Sequence, residues 1–264
     1  MCGRYAASRR PEDMVEEFEL AATPEDALPA RYNVAPTDPV YAVVERAPHG
    51  EPDADPVRSL RTVRWGLVPS WAKDPSIGSR LINARMETVA DKPAFKKAFA
   101  KRRCLLPADG YYEWYARDGA PKGTRKQPFF IRPRDGGVLA MAGLYELWRD
   151  ESKADDDPDR WLWTATVLTT SAPDELGRIH DRMPLLVERE SYGAWLDPAR
   201  DDADDPRDLL VPAAPGLLTA FPVSSDVGNV RNDGPHLVEP LLLEDEETRD
   251  TETGSGVVDQ PGLF

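Results

Sequence analysis

The sequence predicts a single α+β domain built on a curved, mostly antiparallel, barrel-like sheet with peripheral helices. Three observations lead there. Runs rich in β-branched and aromatic residues fill the chain: VYAVVE (40–45), LRTVRWGLV (60–68), CLLPADGYYEWY (104–115), QPFFIRP (127–133), VLAMAGLYELW (138–148), WLWTATVLTT (161–170) and LLTAFPVS (217–224). Stretches with helical spacing are short and lie between or outside these runs. No internal repeat and no linker divides two cores, so one domain is expected over residues 1–243, followed by a polar, glycine-containing tail at 244–264 that is expected to be disordered.

Taken in order, the first helix is expected through PEDMVEEFEL (11–20), capped by Ser8, with Pro11 and two acids in its first turn and Met14, Val15 and Phe18 on its apolar face. The acidic loop APHGEPDADP (47–56) joins the strands at 40–45 and 60–68. A basic amphipathic helix is expected from Lys92 to Arg103, with Phe95 and Phe99 four apart on one face. SAPDELGRI (171–179) and VERESYGAWL (187–196) read as helices. ESKADDDPDR (151–160) and DPARDDADDPRD (197–208) read as solvated acidic insertions.

Composition narrows the function. Of 264 residues 41% are hydrophobic and 30% charged, which excludes a chain disordered throughout. No apolar run approaches the roughly 18 residues of a membrane span, and the start of the chain has no apolar core of a secretion signal. With only Cys2 and Cys104 as cysteines, a reduced cytoplasmic setting is expected. His49, His180 and His236 are far apart, and no CxxC, HxxxH or HExxH occurs, so no metal is expected. Neither GxxxxGK[ST] nor GxGxxG is present, so no nucleotide cofactor is expected. The net charge is −14, and Arg outnumbers Lys 25 to 8. Such acidity suggests a cytoplasm of very high salt, as in a halophilic archaeon, where surface carboxylates keep a protein hydrated; the alternative is an ordinary acidic protein with an acidic tail. Against this background Arg58–Arg103 holds 12 Lys and Arg against three acids. That island could meet a polyanion, or be no more than solvated faces.

Cys2 carries the sharpest chemistry. Once Met1 is removed, one residue bears a free α-amine and a thiol on adjacent carbons, with reference pKa values of about 7.7–8.0 and about 8.5. The amine condenses with an aldehyde to an imine, and the thiol closes onto the same carbon as a five-membered thiazolidine, an intramolecular step. Cys104, within RRCLLP, reads as an inert core cysteine.

The motifs MCGRY (1–5), RYNVAPT (31–37), RWGLVPSW (64–71), INARMET (82–88), GYYEW (110–114), IHDRMP (179–184) and VSSDVGNVRND (223–233) follow one another in the chain. This series resembles the SOS-response-associated peptidase family, the abasic-site processing proteins, over residues 1–235. The resemblance implies a covalent sensor of abasic sites in single-stranded DNA, whose partner is the ring-opened sugar aldehyde. It implies Cys2 as nucleophile, Asn83 as the group that orients Cys2 and the sugar, Glu113 as general acid–base, and His180 over the reacting carbon or sugar oxygen. It further implies Arg4, Arg85 and Arg182 on flanking phosphates, and Trp71 and Pro36 beside splayed bases. A monomer without membrane attachment is expected, with Met1 lost by self-processing or to a general aminopeptidase. Structural readings stand beside these: Glu113 as an ion-pair partner, His180 as a satisfied loop histidine, Trp65 and Trp71 as core. His49 and His236 read as structural or solvent-exposed.

Two rival functions fit part of the pattern. A glutamine amidotransferase-like hydrolase also starts Met-Cys-Gly and uses the terminal cysteine, but does not require INARMET, YYEW or IHDRMP; a glutaminase assay separates it. A non-covalent reader of modified or single-stranded DNA would form no complex that survives boiling in detergent.

Overall fold

The structure, a computed structural model, describes residues 2–241 apart from 49, 52, 117–120, 122, 173, 201–205, 212, 213 and 215. The expected tail at 244–264, His49 and the centre of the second acidic insertion lie outside the described residues. In chain order the elements are β1 (Tyr5–Ala7), α1 (Pro11–Phe18), β2 (Arg31–Val34), β3 (Pro39–Arg46), β4 (Val57–Trp65), β5 (Asn83–Arg85), α2 (Lys96–Lys101), β6 (Arg103–Ala108), β7 (Gly110–Tyr115), β8 (Gln127–Pro133), β9 (Leu139–Arg149), β10 (Trp161–Ser171), α3 (Asp174–Ile179), β11 (Arg182–Pro184), α4 (Tyr192–Leu196) and β12 (Leu218–Pro222). Among the described residues no helix is long and apolar enough to cross a membrane.

Two sheets share these strands. One runs β11-β10-β4-β3-β6-β9, and β9 pairs again with β10, so β10, β4, β3, β6 and β9 close into a five-stranded barrel. The other is fully antiparallel, in the order β12-β8-β7-β1-β2. The curved, barrel-like sheet is therefore as expected. It departs from an antiparallel pattern only at β10, which lies parallel to β4 and to β5. The main core, which includes Cys2, Tyr5, Trp65, Cys104, Tyr111 and Val167, is buried where the barrel and the second sheet meet.

The run at 104–115 belongs to both sheets, because Asp109 alone separates β6 in the barrel from β7 in the second sheet. Asp109 ties this corner to β1: its N–H donates to Ala6 O at 2.8 Å, and its carboxylate accepts the Ser8 N–H at 2.6 Å. Ser8 is thus held as an extension of β1 and does not cap α1. The helix starts at Pro11 as expected, but with Arg10 in the capping position, and it ends at Phe18, two residues short of the expected end. The basic helix is also shorter than expected, Lys96–Lys101 rather than 92–103, with turns before it. Phe95 and Phe99 are both buried, as their spacing predicted. Arg103 leaves the expected basic surface altogether. It is 3% exposed, and its guanidinium donates to the carbonyls of Phe99, Ala100, Trp195, Asp197 and Arg200. A cation there satisfies the carbonyls left open at the end of α2.

The strand expected at 60–68 ends at Trp65 because Gly66 adopts φ +124°. A Cβ on Gly66 would stand 2.5 Å from Gly78 O, so two glycines let the 3-10 turn Pro75–Arg80 lie against the end of β4. That turn leads straight into β5.

Candidate active site

The amino-terminal segment enters as the edge of β1. Tyr5 pairs with Tyr111 and Ala6 with Gly110. Carrying that antiparallel register two residues back sets Gly3 opposite Glu113, with the Tyr112 N–H donating to Arg4 O at 3.0 Å. Cys2 is fully buried. Its Sγ lies 3.9 Å from Arg4 O. Burial first, and then the Glu113 charge, push its thiol well above the usual thiol range, while the positive amino terminus and the Arg4 contact pull it back.

Asn83 reaches the same point from the barrel. β5 holds it by pairing with Val167 of β10, and the Asn83 amide donates to Cys2 O at 2.7 Å. The other side of that amide, Oδ1, is buried without a hydrogen-bond partner among the described residues. Glu113 on β7 is 4% exposed. Burial pushes its carboxyl up to about 7, against the opposing charge and hydrogen bond of the amino terminus; Asp181 raises it further and Lys126 lowers it. The carboxyl is therefore ready both to give and to take a proton near neutrality.

His180 follows α3. Its Nδ1 accepts the Arg182 N–H at 3.0 Å, so the neutral ring carries its proton on Nε2. Burial and then the amino-terminal charge lower its pKa, and they outweigh Asp181, whose Oδ1 stands 3.1 Å from Nδ1. Asp181 and Lys126 act on both Glu113 and His180. The structure thus gathers Cys2, Asn83, Glu113 and His180 from four separate stretches of sequence.

The three arginines differ. Arg182 forks onto Glu87, at 2.6 and 3.0 Å, and donates to Thr169 O at 2.6 Å, so IHDRMP is bolted to INARMET. Arg4 donates to Asn33 Oδ1 and Val227 O, both at 2.8 Å, with its guanidinium 6.0 Å from the Trp114 ring centroid. Arg85 is exposed and makes no ion pair among the described residues. Trp71 is 58% exposed, whereas Trp65 is core, its Nε1 donating to Ile82 O at 3.0 Å. Pro36 is half-buried and precedes Thr37, whose φ of 77° is in the left-handed region. His236 is exposed.

Sequence reasoning passed over several participants. Tyr5 and Tyr111 are buried beside Cys2, which after burial itself contributes most to raising both phenol pKa values. Asn33 is fully buried and donates to Val227 O, Asn229 O and Asn232 O at 3.2, 3.1 and 2.8 Å. It locks VSSDVGNVRND onto β2 and seats Arg4. Each of these lies inside a motif already singled out, and a polar residue flanked by strand residues was the available signal.

The model of the SOS response associated peptidase (SRAP) family matches residues 1–230. The chain belongs to the SRAP family. The abasic site processing protein YoqW of Bacillus subtilis is 36% identical over 240 residues, covering 90% of this chain and 99% of its own. The abasic site processing protein YedK of Escherichia coli is 34% identical over 251 residues, covering 91% and 100%. HMCES of Gallus gallus, named likewise, is 34% identical over 236 residues, covering 80% and 66%. Among solved structures, a protein from Bacteroides thetaiotaomicron superposes with a TM-score of 0.74 over 91% of this chain and 100% of its own; at 23% identity it supports the SRAP fold alone.

Proposed function

We propose that this SRAP protein captures abasic sites in single-stranded DNA by a covalent bond to Cys2. The observation that supports it best is the meeting of Cys2, Asn83 and a Glu113 carboxyl ionising near 7. Hydrolysis of the Met1–Cys2 bond frees the Cys2 amine. The amine adds to the C1 aldehyde of the opened sugar, and loss of water leaves an imine. The Cys2 thiol then adds to that carbon, its proton passes to nitrogen, and a thiazolidine results with no change in oxidation state.

Glu113 in its acid form protonates the sugar oxygen as the ring opens and the departing hydroxyl as the imine forms. As carboxylate it takes the amine's proton. Asn83 fixes Cys2 through the backbone carbonyl, and its Oδ1 supplies an acceptor for the amine or a sugar hydroxyl. The Nε2–H of neutral His180 donates to the sugar oxygen during closure and reversal. Arg85 meets a flanking phosphate directly. Arg4 and Arg182 offer their charge while holding the loops on either side. Trp71 and Pro36 bracket the displaced bases. The same buried Glu113 beside the amino terminus supports self-removal of Met1.

Intact-mass spectrometry before and after mixing with abasic single-stranded DNA tests the reading. Loss of one methionine and gain of one DNA strand, with water lost, are expected. Cys2→Ala should abolish the detergent-stable adduct, whereas Cys104→Ala, at a fully buried position, should leave it intact and cost about 1–2 kcal/mol of stability. Undiminished adduct from Cys2→Ala would end the proposal.

A further inference from the structure

The end of the barrel away from Cys2 carries an open groove edged with cations. β10 runs from Trp163 there to Val167, the partner of the Asn83 that holds Cys2, four residues or roughly 13 Å at about 3.3 Å per residue. The groove holds about 510 Å³, and its lining includes Arg46, Lys101, Arg102, Tyr145, Leu147 and Pro198. That volume suits a small ligand. Its charge runs against the −14 of the chain.

The cations come from three elements. Arg46 ends β3 and lies over the Trp163 ring, 5.4 Å from its centroid, while Trp163 in turn stacks on Tyr145 at 14°. Lys101 ends α2 and is exposed. Arg102 follows it, with Nη2 2.7 Å from Glu146 Oε2 and with Nε buried without a hydrogen-bond partner among the described residues. Glu146 is the carboxylate paired with this group. Glu45, next to Arg46, is taken by Arg58 at 2.9 Å. Arg46 and Lys101 make no ion pair among the described residues. Two cations with no ion pair among the described residues, one of them resting on the Trp163 ring, thus line one groove with the Arg102 guanidinium and the Tyr145 side chain. Arg forks and a lysine match the several oxygens and the charge of a phosphate, and the Tyr145–Trp163 stack gives Arg46 a rigid support.

We propose that this groove is a binding site for a phosphate-bearing anion, separate from the Cys2 site and independent of the reading given for it. The phosphate belongs to a free phosphate anion or to the backbone of a nucleic-acid strand. These share the recognition chemistry.

Isothermal titration calorimetry of inorganic pyrophosphate into the full chain at low salt tests it. One saturable site is expected, weakened at least tenfold in the Arg46→Gln/Lys101→Gln double variant and less in Arg46→Lys, which keeps the charge but not the fork. Both positions reach solvent, so superimposable thermal melts serve as the check on folding, and Lys101→Gln alone provides a milder variant. Displacement of pyrophosphate by an intact single strand lacking abasic sites assigns the phosphate to nucleic acid; failure to displace it assigns the site to a free anion. The absence of a saturable heat with the wild-type chain, or equal affinity in the double variant, overturns the proposal.

Discussion

A carboxyl that titrates near pH 7 while only 4% exposed costs stability, and Glu113 is such a group. Its unfolded form ionises near the ordinary 4.5 and its folded form near 7. Between those values unfolding releases a proton, so stability falls as pH rises through this window and levels off above it. Glu113→Gln removes the charge that burial disfavours. It should raise unfolding stability at pH 8 by about 1–3 kcal/mol, measured by urea denaturation, with little gain at pH 4. The same variant should form adduct at least about 100-fold more slowly. In the wild-type chain, adduct formation limited by the acid form should decline as pH rises beyond 7. A variant both less stable at pH 8 and unimpaired in adduct yield would contradict this account of Glu113. Arg182 teaches the opposite lesson at the same scale. Read as a phosphate contact, it has a guanidinium occupied by Glu87 and Thr169, so its removal should disturb His180 as well as any bound strand.

At the scale of elements, the placement of Asn83 depends on how closely two glycines approach. Gly78→Ala brings a Cβ to 2.5 Å from Gly66 O, and backbone cannot yield as a side-chain tip does. The turn Pro75–Arg80 must then shift, carrying β5 with it. A loss of about 1–3 kcal/mol in thermal or urea unfolding is expected, with slower adduct formation; an unchanged adduct rate would mean that β5 is held by β10 alone. The sequence showed the long strands clearly, since β3, β8, β9 and β10 coincide with its β-branched and aromatic runs. It did not show β1, β2, β5 and β11, each three or four residues long. Their periodicity is too brief to register, and they exist only because a neighbouring strand offers unpaired backbone. Two of them supply Asn33 and Asn83, so the site's supports came to light only through motifs. Ser8 failed as a cap for a similar reason: the Asp109 carboxylate, a hundred residues away, outcompeted the local helix.

Over the whole molecule, charge opposes the proposed substrate. Single-strand affinity falls by roughly 0.7 log units per phosphate contact per decade of salt. Long-range repulsion from a net −14 acts at low salt and is screened once the Debye length shrinks to about 3 Å near 1 M. Reversible binding of intact single strands should therefore be weak across the range. Adduct with abasic DNA should still accumulate at about 2 M KCl, because a covalent product integrates brief encounters. Adduct yield and melting temperature followed against KCl decide it: a chain folded at high salt that reacts only in dilute buffer contradicts the expectation. The pairing of β10 has a consequence in time. β10 closes the barrel against β4 and β9, and it supplies the strand partners of β5 and β11. Ribosomes add about 5–20 residues per second, so roughly 5–20 s separate the completion of β4 from that of β10. For that interval the nascent chain displays the open edge of β4, joined only near its end by that of β9, with no strand beside Asn83 and so no clamp on Cys2. The late-made strand thus leaves a period in which Cys2, fully buried in the finished fold, is still within reach of other enzymes.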